Sequence, residues 1–216
     1  MNDQKDRIPD DMETLSRLAA LAPSEAEIDR HADAAARAFA DSAWDAGAAD
    51  VAYATADSPF GSLLVAVTAR GVVLVAYPNV DAATAIDRLA RAVSPRVLRS
   101  PRATEELRRE LDEYFDHRRD HFDVPVDLRL TAGFTRRILR ATSRIPFGEV
   151  RTYRDMATSA GSPAAVRAAG NALGSNPIPI VVPCHRVVRT GGGLGGYTGG
   201  LERKTALLQL EGVLED

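Results

Sequence analysis

The sequence predicts an α+β protein, with an antiparallel sheet and its helices first and a mostly helical segment built around a helix-turn-helix after it. Three observations carry this. Apolar residues alternate with period two between turn signals over residues 51–77; helical periods follow with no return to strand alternation until Leu130; and beyond Leu130 two short helices flank Ala160-Gly161-Ser162. Strands grouped first and helices afterwards argue against alternating β-α-β units.

Taken in order, residues 1–49 form an acidic, Ala-rich extension. Ser24-Glu25-Ala26-Glu27 reads as a capping box that starts a helix running toward Trp44 and stopping near Gly47. Its apolar stripe of Ile28, Ala35, Phe39 and Ala43 is thin, which points to a peripheral helix with no chemistry of its own. Residues 50–130 make the α+β segment. Val51–Thr55, Leu63–Thr68 and Val72–Tyr77 read as a meander with turns at Asp57–Gly61 and Arg70-Gly71, followed by helices over about 82–93 and 104–118.

Residues 131–216 make the second segment. Phe134, Ile138 and Leu139 recur at helical spacing within 131–143. Helices are then expected over Thr152–Ser159 and Pro163–Leu173, with Pro163 in the first turn of the second. That second helix is lined by small residues around Ala165 and Ala168, so its backbone can approach a groove closely, with Arg167 projecting.

The chain of 216 residues carries a formal net charge of −3, unevenly spread. Residues 1–130 hold 16 Lys+Arg against 24 Asp+Glu, whereas residues 131–216 hold 11 against 6. A basic C-terminal segment beside an acidic companion suits contact with phosphates. A single cysteine excludes an intrachain disulfide, and the four histidines are too scattered for a structural metal site. No apolar stretch is long enough to span a membrane and no leader pattern opens the chain, so a cytoplasmic protein is expected.

That one cysteine, Cys184, lies in Pro183-Cys184-His185-Arg186-Val187-Val188, directly after the apolar run Ile178–Val182. Pro183 should end a strand there and leave the thiol on a turn. The neighbouring imidazole and guanidinium favour a thiolate, the reactive form of cysteine. A Gly191-x-Gly193-x-x-Gly196 pattern also occurs, but no β-α-β unit surrounds it, so it reads as a mobile loop and not as a dinucleotide site.

Together, Ile145–Val150, Tyr153, Arg167, Asn176-Pro177, the Pro183–Val188 hexapeptide and Gly195–Leu201 resemble the O6-alkylguanine-DNA alkyltransferases in order and spacing. The resemblance is strong over 131–212, looser over 51–130, and absent from 1–49. It implies a ribonuclease H-like N-terminal domain and a winged-helix/helix-turn-helix alkyltransferase domain. It also implies single-turnover repair without a cofactor: an O6-alkylguanine, with O4-alkylthymine as a second candidate, is flipped from double-stranded DNA and its alkyl group moves to Cys184.

By the same resemblance, His185 takes the thiol proton through a water and is oriented by Glu211, while Tyr153 assists the leaving guanine. Asn176 fixes the turn before the active-site segment. Val187, Thr198, Tyr197 and Gly195 line the base pocket, with the main-chain carbonyls of Cys184 and Val187 reading the guanine amino group. Arg167, Ala165, Ala168, Arg151 and Thr152 face DNA, with the second helix in the minor groove. A monomer suffices for this architecture. Two rivals remain at this point: a thiol hydrolase or acyltransferase, which would turn over, and a non-catalytic module that holds alkylated bases, against which Cys184 itself speaks.

Overall fold

In the computed structural model, which describes residues 23–215, the expected capping box forms: the Ser24 amide donates to Glu27 Oε2 at 2.8 Å and the Glu27 amide to Ser24 Oγ at 3.3 Å. It opens α1 (Glu25–Asp45), which ends just before Gly47 at φ 67°. The first 22 residues of the acidic extension lie outside the described residues. Residues 23–39 belong to one compact unit and residues from Ala40 to a second.

The expected meander is β1 (Val51–Ala56), β2 (Leu63–Thr68) and β3 (Gly71–Ala76), antiparallel and in register from Ala56↔Leu63 and Leu64↔Ala76. A fourth strand, β4 (Val97–Arg99), pairs parallel with β1 and gives the order β3-β2-β1-β4. Three residues are too few to show a period, which is why this strand is not legible in the sequence. Every β2 side chain is buried, because helices cover both faces of the sheet. α2 (Ala82–Ala92) packs Ala85 and Leu89 on one face with Val51, Leu64 and Val73. α3 (Glu105–Phe115) places Leu107, Leu111 and Tyr114 on the other, in a core continuous with residues beyond 131.

Amides on the unpaired edge of β3 find partners outside the sheet. Val72 N–H donates to the Pro125 carbonyl at 2.7 Å and Val75 N–H to the Pro177 carbonyl at 2.9 Å. The second contact ties the sheet to the loop that leads to Cys184.

After a 3₁₀ turn at Leu128–Leu130 come α4 (Gly133–Thr142), α5 (Tyr153–Ser159) and α6 (Val166–Gly174), the last two forming the helix-turn-helix. α6 begins three residues later than expected. The Ala165 amide donates to the Ser162 carbonyl at 2.9 Å, so Pro163 and Ala164 are the centre of a turn and not the first helical turn. Arg151-Thr152 (β5) pairs parallel with Val187-Val188 (β6), which locks the start of α5 beside the cysteine segment. α7 (Leu201–Leu210) closes the chain.

The strand expected over Ile178–Val182 does not form. Prolines at 177, 179 and 183 remove the donors a ladder needs, and the segment winds into turns instead. Val182 N–H donates to the Ile178 carbonyl at 2.8 Å, and Cys184 N–H to the Val182 carbonyl at 2.8 Å across Pro183 in an inverse γ-turn. Ile180 is left at φ 74°, strained for a β-branched residue at about 1–3 kcal/mol. The run is apolar because it is buried, from Asn176 through Val188.

Candidate active site

Cys184 opens a 3₁₀ turn (Cys184–Arg186) and is buried, yet it is among the residues lining a mostly apolar cavity of about 680 Å³. Tyr153, Arg167, Gly174, Tyr197 and Thr198 line the same cavity. The structure thus brings together residues from α5, α6, the cysteine turn and the glycine loop.

The thiol is not the thiolate that the flanking charges suggested. Burial pushes it up to about 11, against a hydrogen bond from Asn176 and the pull of Lys204. Arg186 gives it no charge, because its guanidinium turns away: Nε donates to Glu211 Oε2 at 2.8 Å, Nη2 to Glu211 Oε1 at 2.9 Å, and Nη1 to the Ile145 carbonyl at 2.5 Å. Resting Cys184 is therefore a neutral thiol.

His185 follows it in the chain. It is fully buried, Nε2 lies 2.8 Å from Glu211 Oε1, and Nδ1 has no hydrogen-bond partner among the described residues. Burial lowers its pKa, with Glu211 opposing and Arg186 and Lys204 adding to the fall, so the ring is neutral with the proton on Nε2 facing the carboxylate. That leaves a lone pair on Nδ1. Glu211 caps α7 and is buried; burial would raise its pKa, but bonds from His185 and Arg186 outweigh it and hold the carboxyl near about 2.

Asn176 follows α6, and its Nδ2 donates to the Val182 carbonyl at 2.8 Å and to Cys184 Sγ at 3.1 Å, while Oδ1 accepts from the Ile178 amide at 3.0 Å. Tyr153 starts α5, and its hydroxyl donates to the Gly196 carbonyl at 3.2 Å; burial raises its pKa, so it stays a donor. Gly195, at φ 72°, permits this approach, since a Cβ there would lie 2.6 Å from the Tyr153 hydroxyl. Thr198 Oγ1 donates to the Gly174 carbonyl at 2.6 Å, and the Tyr197 hydroxyl pairs with Tyr77 at 2.7 Å.

The Val187 carbonyl accepts from Lys204 Nζ at 2.6 Å, leaving one lone pair. Lys204 also donates to the Leu194 carbonyl, and burial pulls its pKa down to about 8. On the outer face, Arg167 and Ala168 are exposed on α6, and Ala165 precedes its first turn. Thr152 caps α5 in a capping box with Asp155, and Arg151 is exposed but bridged to Glu149 at 2.7 Å. Sequence reasoning missed Tyr114, Tyr77 and Lys204, whose burial no local pattern signals, and the turn of Arg186 toward Glu211.

A buried cysteine lining an apolar cleft together with residues of the second helix of a helix-turn-helix defines a DNA-binding protein with cysteine chemistry. Residues 133–213 match the 6-O-methylguanine DNA methyltransferase, DNA binding domain, and residues 51–128 the ribonuclease-like domain of the same methyltransferases. The methylated-DNA--protein-cysteine methyltransferase of Mycolicibacterium paratuberculosis is 44% identical over 161 residues, covering 74% of this chain and 92% of that protein. Its Mycobacterium tuberculosis counterpart is 41% identical over 162 residues, 74% and 91% of the two chains. Among solved structures, Mycobacterium tuberculosis OGT in complex with DNA superposes with a TM-score of 0.65 at 38% identity, covering 74% of this chain and 92% of that one. The chain belongs to the O6-alkylguanine-DNA alkyltransferase family. The ribonuclease-like and DNA-binding halves of the expected α+β fold are both present.

Proposed function

We propose that the protein repairs DNA directly, moving the alkyl group of an O6-alkylguanine onto Cys184 in a single, irreversible turnover. The observation that carries this reading is one apolar cavity lined by both Cys184 and Arg167. A stacked base cannot reach that sulfur, so the nucleotide is everted into the cavity, at a cost of a few kcal/mol met by contacts there. Residues 131–216 carry the chemistry and residues 50–130 support it. α6 enters the minor groove through its small, exposed face, and Arg167 fills the gap left by the base. One copy of the chain suffices.

His185 Nδ1 accepts the Cys184 proton through a bridging water, with Glu211 holding the imidazolium that forms. Sulfur then attacks the alkyl carbon in line, the S–C bond forms as the C–O6 bond breaks, and the electron pair leaves with guanine. Tyr153 turns its hydroxyl from Gly196 to the guanine ring to stabilise that charge, and Thr198 turns from Gly174 toward O6. The free lone pair of the Val187 carbonyl and the Cys184 carbonyl accept from the guanine amino group. O4-alkylthymine offers the same carbon and oxygen and is a second substrate to assay.

Incubation with duplex DNA bearing O6-methylguanine is expected to add one methyl group to the intact protein, mapped to Cys184, with one lesion consumed per molecule. Cys184→Ala should still bind the lesion and remove nothing. An unchanged mass, or repeated turnover as a thiol hydrolase would show, contradicts the reading.

A further inference from the structure

Glu211 Oε1 accepts three hydrogen bonds: from His185 Nε2 at 2.8 Å, from Arg186 Nη2 at 2.9 Å and from the Tyr114 hydroxyl at 2.6 Å. Two of these donors stand beside Cys184 in sequence. The third comes from α3, in the ribonuclease-like segment, 97 residues from Glu211. Tyr114 is fully buried, with its ring against Phe115 and Phe122 at centroid distances of 5.4 Å and against Phe147 at 6.2 Å. Burial, and then the facing Glu211 carboxylate, raise its pKa, so the phenol remains a donor throughout the range in which histidine titrates.

We infer that Tyr114 is a positioning residue for alkyl transfer: its hydroxyl fixes the Glu211 oxygen that faces His185 and shares that oxygen's charge. The inference rests on the Glu211–His185–Cys184 relay proposed above. A carboxylate oxygen divided among three donors gives less of its charge to each. With Tyr114 present, Glu211 orients His185 without binding the imidazolium so strongly that the ring holds a proton in the resting state. Loss of the hydroxyl leaves Glu211 in place, because Arg186 grips both of its oxygens, but concentrates charge on the His185 N–H. His185 then becomes more basic and stays protonated to higher pH, where it cannot accept the thiol proton.

The other ionisable groups facing His185 are Arg186, Cys184, Lys204 of α7 and the phenol of Tyr197, whose ring centroid is 6.5 Å from the imidazole. Tyr114→Phe changes none of them. It also keeps the aromatic packing.

The test is the single-turnover rate of methyl transfer from duplex O6-methylguanine across the pH range of histidine titration, with Tm, for the wild type, Tyr114→Phe, Phe122→Leu and Glu211→Gln. Tyr114→Phe is expected to move the acid limb up by about half a pH unit, so the rate on that limb falls about threefold. Phe122→Leu loosens the packing around the Tyr114 ring, and should lower Tm while leaving the limb where it was. A wild-type limb in Tyr114→Phe, or an equal shift in Phe122→Leu, overturns the inference while leaving the relay intact. If Glu211→Gln changes neither rate nor limb, the relay itself fails and the role of Tyr114 goes with it.

Discussion

The Asn176 amide touches the Cys184 thiol: Nδ2 lies 3.1 Å from Cys184 Sγ while the same group holds the Val182 carbonyl and, through Oδ1, the Ile178 amide. One side chain thus closes the proline-rich turn and offers the sulfur a donor that favours its anion. Asn176→Ala should cost roughly 3 kcal/mol, since it leaves a buried carbonyl and a buried amide unpaired. It should also raise the thiol pKa further above about 11, followed by thiolate ultraviolet absorbance against pH. A variant with wild-type stability and thiol titration would show that the contact is idle.

Glu211 carries a second prediction. Its pKa in the folded protein, about 2, lies below the ordinary value of 4.5, so it contributes stability that is present above pH 4.5 and lost as pH falls toward 2. Denaturant midpoints measured downward through that window should fall in the wild type and fall less in Glu211→Gln. At neutral pH the same substitution strands Arg186 and should cost about 3–5 kcal/mol, with methyl transfer slowed about a hundredfold or more if the relay operates.

Arg167 projects from α6 at the edge of the cavity and makes no hydrogen bond or ion pair within the described residues. Arg167→Ala is expected to slow transfer from duplex DNA much more than transfer from a single-stranded lesion, where little stacking opposes eversion. Equal losses on the two substrates would reassign the side chain to simple phosphate binding.

Gly195 permits the loop to lie against Tyr153. A methyl group at this position meets the Tyr153 hydroxyl at 2.6 Å in backbone of positive φ, so Gly195→Ala must displace the loop or the ring. The expected cost is about 1–3 kcal/mol of overpacking, read as slower transfer with the mass of one methyl group per protein still reached at long times. Wild-type kinetics in this variant would remove Tyr153 from the leaving-group side of the reaction.

Much of this protein is legible in its sequence, because the rules that shape it are local. Ser24 with Glu27, the alternation after Val51, the turn at Gly161 and the Pro-Cys-His-Arg run each act over a few residues through backbone sterics and short hydrogen bonds, and each appears where expected. The same locality explains the failures. Ile178–Val182 has the composition of a strand, but its prolines deny it a ladder, and Pro163 starts a turn before α6 instead of its first helical turn.

What only the tertiary structure decided is the chemistry of the thiol. An exposed Cys184 beside Arg186 would be a thiolate candidate; packing buries the sulfur, turns the guanidinium onto Glu211 and so leaves a protonated thiol. Glu211 is paired with His185 in sequence only through the family resemblance, and packing makes it a buried anion with donors from His185, Arg186 and Tyr114. Desolvation and contacts between residues 97 apart depend on where whole segments pack, and no short pattern encodes them. The sequence by itself determined which side chains stand along the cysteine segment; the fold decided their burial and protonation.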